Sequence, residues 1–316
     1  MVVANAHVTA TDFAVEDAHP DWCGGCGDFG ILNSLRQALA KCGRPPYAVA
    51  VVSGIGCSAK TPHYLRTYGL HSLHGRALNV ATGVKLANMQ LTVIAIGGDG
   101  DGYGIGAGYF VNSGRRNLDI TYFVNNNSVY GLTKGQASPT LRRGLKTKSM
   151  SEPAIQEGVN PIGLAIASGY TFVARGYAMA GPELVELMVK AIAHRGTALV
   201  DILQPCPVYN DLFTVDFYRG KDLETGVPRI YRLADEGYDG QVHDPANPDE
   251  VTQKKQAALL KSYEWGDRIP TGVLYQIELP TYEDAVIARR PSAATGPLYR
   301  ETRNASNVEP LLEVFR

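Results

Sequence analysis

The sequence predicts an α/β protein built on a doubly wound parallel sheet, with an irregular C-terminal extension. Three observations point there. Short β-branched apolar runs alternate with amphipathic segments from about residue 47 to 203, the pattern of strands joined by crossover helices. Each run empties into glycine, aspartate, asparagine or proline, as strand ends that meet a ligand require. The 316 residues, 45% hydrophobic and 19% charged, suffice for one large domain or two modest ones with an ample core.

Composition excludes several classes. A net charge of −1 leaves no basic footprint for nucleic acid or an anionic membrane. The apolar runs are broken by Gly, Asp or Asn before a bilayer is crossed. Asp12, Glu16 and Asp17 lie where a signal peptide would be apolar, so the chain reads as cytoplasmic. Five cysteines in such a chain are better read as metal ligands or catalytic groups than as disulfides.

Taken in order, residues 1 to 20 lack a period and read as an extended surface arm. Cys23 and Cys26 follow at C-x-x-C spacing in the loop WCGGCGDFG, which lets both sulfurs face one metal. A redox pair and half a zinc site are the alternatives, but no strand precedes the loop as a thioredoxin-like motif requires. Residues 31 to 42 have helical apolar spacing that includes Cys42, which is taken as a core residue. A strand over 47 to 53 opens into Gly54-Ile55-Gly56-Cys57-Ser58-Ala59-Lys60, where Cys57 stands like a ligand and Lys60 either meets an anion or is simply solvated. His71, His74 and Arg76 precede a helix over 77 to 89; His74 is either a cap or a ligand contact.

The strand Leu91 to Ile96 runs into Gly97-Gly98-Asp99-Gly100-Asp101-Gly102. A carboxylate between glycines suits one hard cation while backbone N–H groups approach phosphate oxygens. The next strand, Ile120 to Val124, ends in Asn125-Asn126-Asn127 and Val129-Tyr130-Gly131. Parallel pairing of the two strands brings the Asp99 and Asn127 oxygens to one Mg²⁺, whose remaining ligands are phosphate and water, so a diphosphate is implied. Gly135 to Glu157 is polar and long enough to serve as a lid or a partner-facing loop. Helices over 161 to 168 and 182 to 194 and strands over 170 to 175 and 197 to 203 complete the alternation. The last strand leads to Gln204-Pro205-Cys206-Pro207, the fourth candidate thiolate. Beyond 208 the pattern decays, and only 249 to 263 reads clearly as a helix.

The pairing of GDG with an Asn-rich strand end resembles the diphosphate-binding motif of thiamine-diphosphate enzymes. In order, WCGGCGDFG, GIGCSAKTPHYL, HGRALNVATG, GGDGDGYGIG, NNNSVYGLTKGQ and QPCPVYN resemble the β subunit of 2-oxoacid:ferredoxin oxidoreductases over residues 22 to about 210. The resemblance implies a thiamine-diphosphate-binding fold of the diphosphate type over 1–210 and an extension over 211–316 that packs on this subunit or its partner. It implies a [4Fe–4S] cluster on Cys23, Cys26, Cys57 and Cys206, and Mg²⁺ on Asp99, Asn127 and the Val129 carbonyl. Thiamine diphosphate would be held by Ile55, Gly56, Cys57, Ser58, His74, Gly98, Gly100, Asp101, Gly131 and Leu132. Lys60 looks like the family lysine beside the substrate carboxylate, and Leu132 and Lys134 lie in the segment tied to substrate choice. Gly24 departs from a frequent proline and Asn126 from a frequent aspartate.

The reaction so implied is coenzyme A-dependent oxidative decarboxylation of a 2-oxoacid (pyruvate, 2-oxobutyrate or 2-oxoglutarate), with electrons leaving to an external ferredoxin. Only one thiamine domain is visible, so an α subunit must supply the other half and its glutamate, in an αβ or (αβ)2 assembly. The rivals are a non-redox thiamine-dependent decarboxylase and a zinc-stabilised structural subunit.

Overall fold

A computed structural model describes residues 8–294 together with Gly296 and Glu313. The rest of the arm and of the extension lies outside the described residues. In chain order the strands are β1 (Val49–Ser53), β2 (Tyr68–His71), β3 (Thr92–Gly98), β4 (Ile120–Asn126), β5 (Val129–Tyr130), β6 (Gln136–Ala137), β7 (Phe172–Tyr177), β8 (Ala198–Leu203), β9 (Ile230–Arg232) and β10 (Ile269–Gln276). The helices are α1 (Gly27–Lys41), α2 (Ala77–Ala87), α3 (Ala107–Arg116), α4 (Pro161–Ser168), α5 (Pro182–Ala193), α6 (Val215–Tyr218), α7 (Pro248–Ser262) and α8 (Tyr282–Arg289).

Eight strands form one sheet in the order β2-β1-β3-β4-β8-β7-β10-β9, parallel throughout except where β10 runs antiparallel to β7. This is the doubly wound α/β sheet that the alternation predicts. Every residue of β1, β4 and β8 is buried, because helices cover both faces of a parallel sheet. On one face α1 and α5 cover a core that includes Leu35, Ile94, Ile96, Phe172 and Met188. On the other a second core gathers Phe110, Tyr122, Ile162 and Tyr170 beneath α2, α3, α4 and α7. Local chemistry sets the helix ends: Asn160 accepts from the Gly163 N–H ahead of Pro161, and α4 stops at Gly169 in the left-handed region.

Four expectations change. The arm is anchored where it is described: Phe13 is fully buried and Ala14 bridges Leu65. Cys42 is half-buried and caps α1 instead of sitting in the core, its N–H bonded to the Ala38 carbonyl. The extension is more ordered than its pattern: β10 joins the sheet although Pro270 and Gly272 interrupt its alternation, and α8 starts from a Thr281/Asp284 capping box. The polar stretch after Gly135 is fastened down, with Leu141 buried against Leu203 and Phe213 and Ser149 donating to the carbonyls of Gly135 and Tyr209.

Candidate functional site

The parallel register decides where the chemistry gathers. Ser53 pairs with Ile96, Gly98 with Asn125 and Asn126 with Leu203, so the loops leaving β1, β3, β4 and β8 emerge side by side at the carboxyl edge of the sheet. There the loops after β1, β2, β3 and β4 enclose a cavity of about 150 Å³. Its wall includes Ile55, Gly56, Cys57, Ser58, His74, Gly98, Gly100, Asp101, Gly131 and Leu132, every residue expected to hold the cofactor. Asp99, Asn127 and Val129, the expected magnesium ligands, line the same space.

Asp99 is almost wholly buried at the end of β3. Its Oδ2 accepts hydroxyl bonds from Ser138 and from Thr140, the latter at 2.5 Å. Burial pushes its carboxyl up to about 6, while the two hydroxyls pull the other way. The three asparagines divide their work. Asn125 donates to Asp28 in the first turn of α1 at 2.6 Å, and Asn126 donates to Asp201 at 3.0 Å. Asn127 turns toward the cavity, its Oδ1 accepting from the Val129 N–H at 3.0 Å with Ser128 between them at φ 61°. Asp99, Asn127 and the Val129 carbonyl would offer a hard cation an all-oxygen donor set.

Asp101 lines the cavity but spends one oxygen on the scaffold. Its Oδ1 accepts from the N–H groups of Ile55 at 2.9 Å and Gly75 at 2.7 Å, which ties the loops after β1 and β2 to the GDG turn. Burial raises its carboxyl above the usual range against those donors. A Cβ at Gly54 would overlap this carboxylate, so that glycine is a packing requirement. Ser58 Oγ is buried without a hydrogen-bond partner, and so is His74 Nδ1, which lies 3.1 Å from Asp101 but off the direction for a bond. Buried unpaired polar atoms on a cavity wall are what a missing polar ligand would satisfy. Gly56, at φ 134° with open space where a Cβ would be, leaves the backbone accessible at the same wall.

Beside the cavity the four expected cysteines approach one another. Cys26 N–H closes a turn on the Cys23 carbonyl, the Gly27 N–H bonds the Pro205 carbonyl at 3.2 Å, and Gln204 Nε2 reaches Cys26 Sγ at 3.1 Å. Burial, then the charge of Asp28, raises the Cys26 thiol; the same causes push Cys57 up to about 11, and Cys206 adds to both. Thiols so placed stay protonated until a cationic group stabilises their thiolates. Among the described residues no three His, Cys, Asp or Glu side chains meet closely enough to hold a single ion.

Two expected residues stand elsewhere. Lys60, in a 3-10 turn over Ser58–Tyr64, pairs with Asp21 at 2.9 Å and is absent from the cavity wall. Lys134, in the left-handed region at φ 85°, lies on the exposed turn after Gly131 and is likewise not part of the wall. Sequence reasoning did not single out Tyr130 and Thr133 as wall residues, nor Ser138 and Thr140 as the partners of Asp99. The first pair adjoins the Asn127 motif and was within reach; the second sits in a polar loop whose aim no periodicity reveals.

The sheet and its edge cavity define the diphosphate-holding half of a thiamine-dependent enzyme. Two family descriptions match: the C-terminal TPP binding domain of thiamine pyrophosphate enzymes over residues 54–202, and the C-terminal part of the pyruvate ferredoxin oxidoreductase beta chain over residues 206–289. The chain is 51% identical to the 2-oxoacid:ferredoxin oxidoreductase subunit beta of Saccharolobus solfataricus, over 94% of this chain and 96% of that one. It is 54% identical to 2-oxoacid:ferredoxin oxidoreductase 1, subunit beta, of Aeropyrum pernix, over 86% and 83%. A solved structure, the 2-oxoglutarate:ferredoxin oxidoreductase from Magnetococcus marinus with 2-oxoglutarate, coenzyme A and succinyl-CoA bound, superposes with a TM-score of 0.83 at 32% identity, covering 99% of this chain and 98% of that one. The chain belongs to the family of β subunits of 2-oxoacid:ferredoxin oxidoreductases. It is thus one subunit of an enzyme that needs an α partner. Among the described residues no helix is long and apolar enough to cross a membrane.

Proposed function

We propose that this subunit binds thiamine diphosphate through Mg²⁺ in the edge cavity and takes part in coenzyme A-dependent oxidative decarboxylation of a 2-oxoacid. The observation that carries this reading is the convergence of every expected cofactor and magnesium residue on one wall. Asp99, Asn127 and the Val129 carbonyl would hold the ion; Ser58 and His74, each with an unpaired buried atom, would meet the cofactor. Bound thiamine diphosphate supplies the carbanion chemistry that releases CO2 from a 2-oxoacid. The chain's own contribution is to fix the diphosphate end and, through the buried loops held by Asp101, to keep that end from shifting.

At about 150 Å³ the cavity is smaller than the roughly 300–1,000 Å³ of a complete small-molecule site. That supports a cofactor shared with an α subunit, which would bring the second half and its glutamate in an αβ or (αβ)2 assembly. Cys23, Cys26, Cys57 and Cys206 would hold a [4Fe–4S] cluster, which accepts electrons singly and passes them to ferredoxin. Support for this is the neighbourhood of the four thiols, with Cys26 buried and Cys57 and Cys206 half-buried. A reducing cytoplasm suits such thiols. Lys60 would attract the substrate carboxylate after leaving Asp21, and Leu132 and Lys134 would border the substrate. Pyruvate, 2-oxobutyrate and 2-oxoglutarate are the candidate substrates; the 2-oxoglutarate in the superposed structure supports the third. Residues 1–210 would then form the cofactor-bearing domain and 211–316 its extension.

An anaerobic assay of the chain with and without its α partner tests the proposal, following 2-oxoacid- and coenzyme A-dependent reduction of ferredoxin or a viologen dye. Activity only in the complex is expected, with a broad visible absorption band. CO2 release without acceptor reduction would replace it with a non-redox decarboxylase, and a colourless zinc-loaded chain that retains no thiamine diphosphate would make it a structural subunit.

A further inference from the structure

Behind Asp99 a line of buried polar side chains crosses four neighbouring strands. Asp99 follows directly on β3, Asn126 ends β4, Asp201 lies in β8 and Arg175 is its direct cross-strand partner in β7. Thr140, on the loop after β6, closes the gap between the first two. Its Oγ1 lies 2.5 Å from Asp99 Oδ2 and 2.9 Å from Asn126 Oδ1. Asn126 Nδ2 donates to Asp201 Oδ1 at 3.0 Å, where Tyr103 also donates at 3.0 Å, and Arg175 Nε stands 3.7 Å from Asp201 Oδ2.

The donor inventory gives the line a direction. Arg175 only donates and ionised Asp201 only accepts, so Asn126 must turn its NH2 toward Asp201 and its carbonyl oxygen toward Thr140. Thr140 has one proton and three acceptors within reach, Asn126 Oδ1, Ser128 Oγ at 3.2 Å and the carboxylate of Asp99, of which the carboxylate is the strongest. With that proton directed at Asp99, the Asn126 contact is packing, not a hydrogen bond. With Ser138 on the same atom, both hydroxyl bonds to the Asp99 carboxylate fall on Oδ2. Neither hydroxyl takes up Oδ1.

Burying Arg175 and Asp201 at 3% and 1% exposure is costly, since desolvation of such a pair commonly outweighs its attraction. Two Arg175 nitrogens also lack a hydrogen-bond partner. Asn126 Nδ2 and the Tyr103 hydroxyl supply the hydrogen bonds that Asp201 Oδ1 keeps.

We infer that Thr140 is a positioning residue that, together with Ser138, holds the Asp99 carboxylate in the one rotation that presents an oxygen to the diphosphate metal. This rests on the reading of Asp99 as that metal's ligand. The hydroxyl, not the bulk, of residue 140 is what matters.

Equilibrium dialysis of thiamine diphosphate against the assembled enzyme over a range of Mg²⁺ concentrations, with thermal unfolding in the absence of metal as reference, separates positioning from folding. Thr140→Val keeps the shape and removes the donor; Thr140→Ser restores it. The expected result is a Mg²⁺ requirement raised on the order of tenfold or more in Thr140→Val, and a return toward the parent value in Thr140→Ser. Asp99→Asn, run alongside, is expected to lose Mg²⁺-dependent binding. A Thr140→Val enzyme whose Mg²⁺ requirement matches the parent, while Asp99→Asn has lost binding, overturns the positioning role and leaves the metal site standing. If Asp99→Asn binds normally, the metal assignment falls and the positioning role with it.

Discussion

Trp22 donates its indole N–H to the backbone carbonyl of Cys57 at 2.7 Å, joining the C-x-x-C loop to the loop after β1. Two candidate cluster ligands from distant parts of the chain are thereby held together before any metal arrives. The ring is buried edge-on against Phe29 and Tyr64, so it also fixes the entry to α1. Trp22→Phe keeps most of that packing and leaves the Cys57 carbonyl with the longer Lys60 N–H bond at 3.3 Å, at a cost of about 0.5–1.5 kcal/mol. Reduced iron and sulfide content after anaerobic purification, together with a lower unfolding temperature, is the expected outcome. Full iron content in this variant would show that the cysteine loops find each other without the indole.

Asp21 already occupies Lys60, the residue proposed to meet the substrate carboxylate. The carboxylate takes Lys60 on one oxygen at 2.9 Å and the Tyr64 hydroxyl on the other at 2.5 Å. Asp21 is well exposed, so breaking this pair changes stability by no more than about 1 kcal/mol. If Lys60 serves the substrate carboxylate, Asp21→Asn frees it and the 2-oxoacid KM falls several-fold, whereas Lys60→Ala raises KM. Steady-state kinetics of the assembled enzyme with both variants decides this: an unchanged KM in Lys60→Ala removes the lysine from the substrate site.

His194 gives the fold a pH dependence at the opposite end of the sheet. Its ring is buried, with Nε2 2.8 Å from Thr171 Oγ1 and Nδ1 3.2 Å from Glu278. Burial lowers its pKa, while the charges of Glu278 and Asp119 oppose the shift. The folded state thus takes up this proton less readily than the unfolded chain does. The resulting stability is present above the ordinary histidine range near 6.5 and is lost as pH falls through the lowered value. Denaturant unfolding across about pH 5 to 8 is expected to show that loss, and His194→Gln, which keeps a donor for Thr171 but cannot titrate, to flatten it. A slope that survives in His194→Gln belongs to other groups.

What the sequence disclosed about this site follows from how parallel sheets are built. Strands β1, β4 and β8 are buried on both faces, so they read as mostly apolar runs, and in-register parallel pairing guarantees that the residues after them meet. That is why Cys57, Asp99 and Asn127 were legible as neighbours. By contrast β2 is exposed along its whole length at the sheet edge and carries no apolar pattern. Strand β10 contains Pro270 and Gly272, shifts register between Val273 and Tyr275, and pairs antiparallel with a strand far away in sequence. Thr140 and Ser138 were hidden for a further reason: a hydroxyl in a polar loop acquires its partner only through the tertiary fold. The pairing of Lys60 with Asp21 is hidden in the same way, since neither residue belongs to a periodic element.

Gly100 shows how a glycine that reads as a phosphate contact is also a steric requirement. A Cβ there would penetrate the ring of Tyr130, which stands on the cavity wall with its hydroxyl 3.5 Å from the Gly100 carbonyl. Gly100→Ala must therefore displace the ring or the GDG turn, and the strain expected for overpacking is about 1–3 kcal/mol. Either displacement disturbs the wall beside Asp99, so cofactor retention should fall with stability. If the ring is the obstacle, Tyr130→Leu in the same chain relieves the strain and the two substitutions are strongly non-additive. A double-mutant cycle on unfolding temperature, repeated with thiamine diphosphate and Mg²⁺, measures this directly. Additive losses would mean that the backbone at Gly100, and not the Tyr130 ring, is what excludes a side chain from the turn.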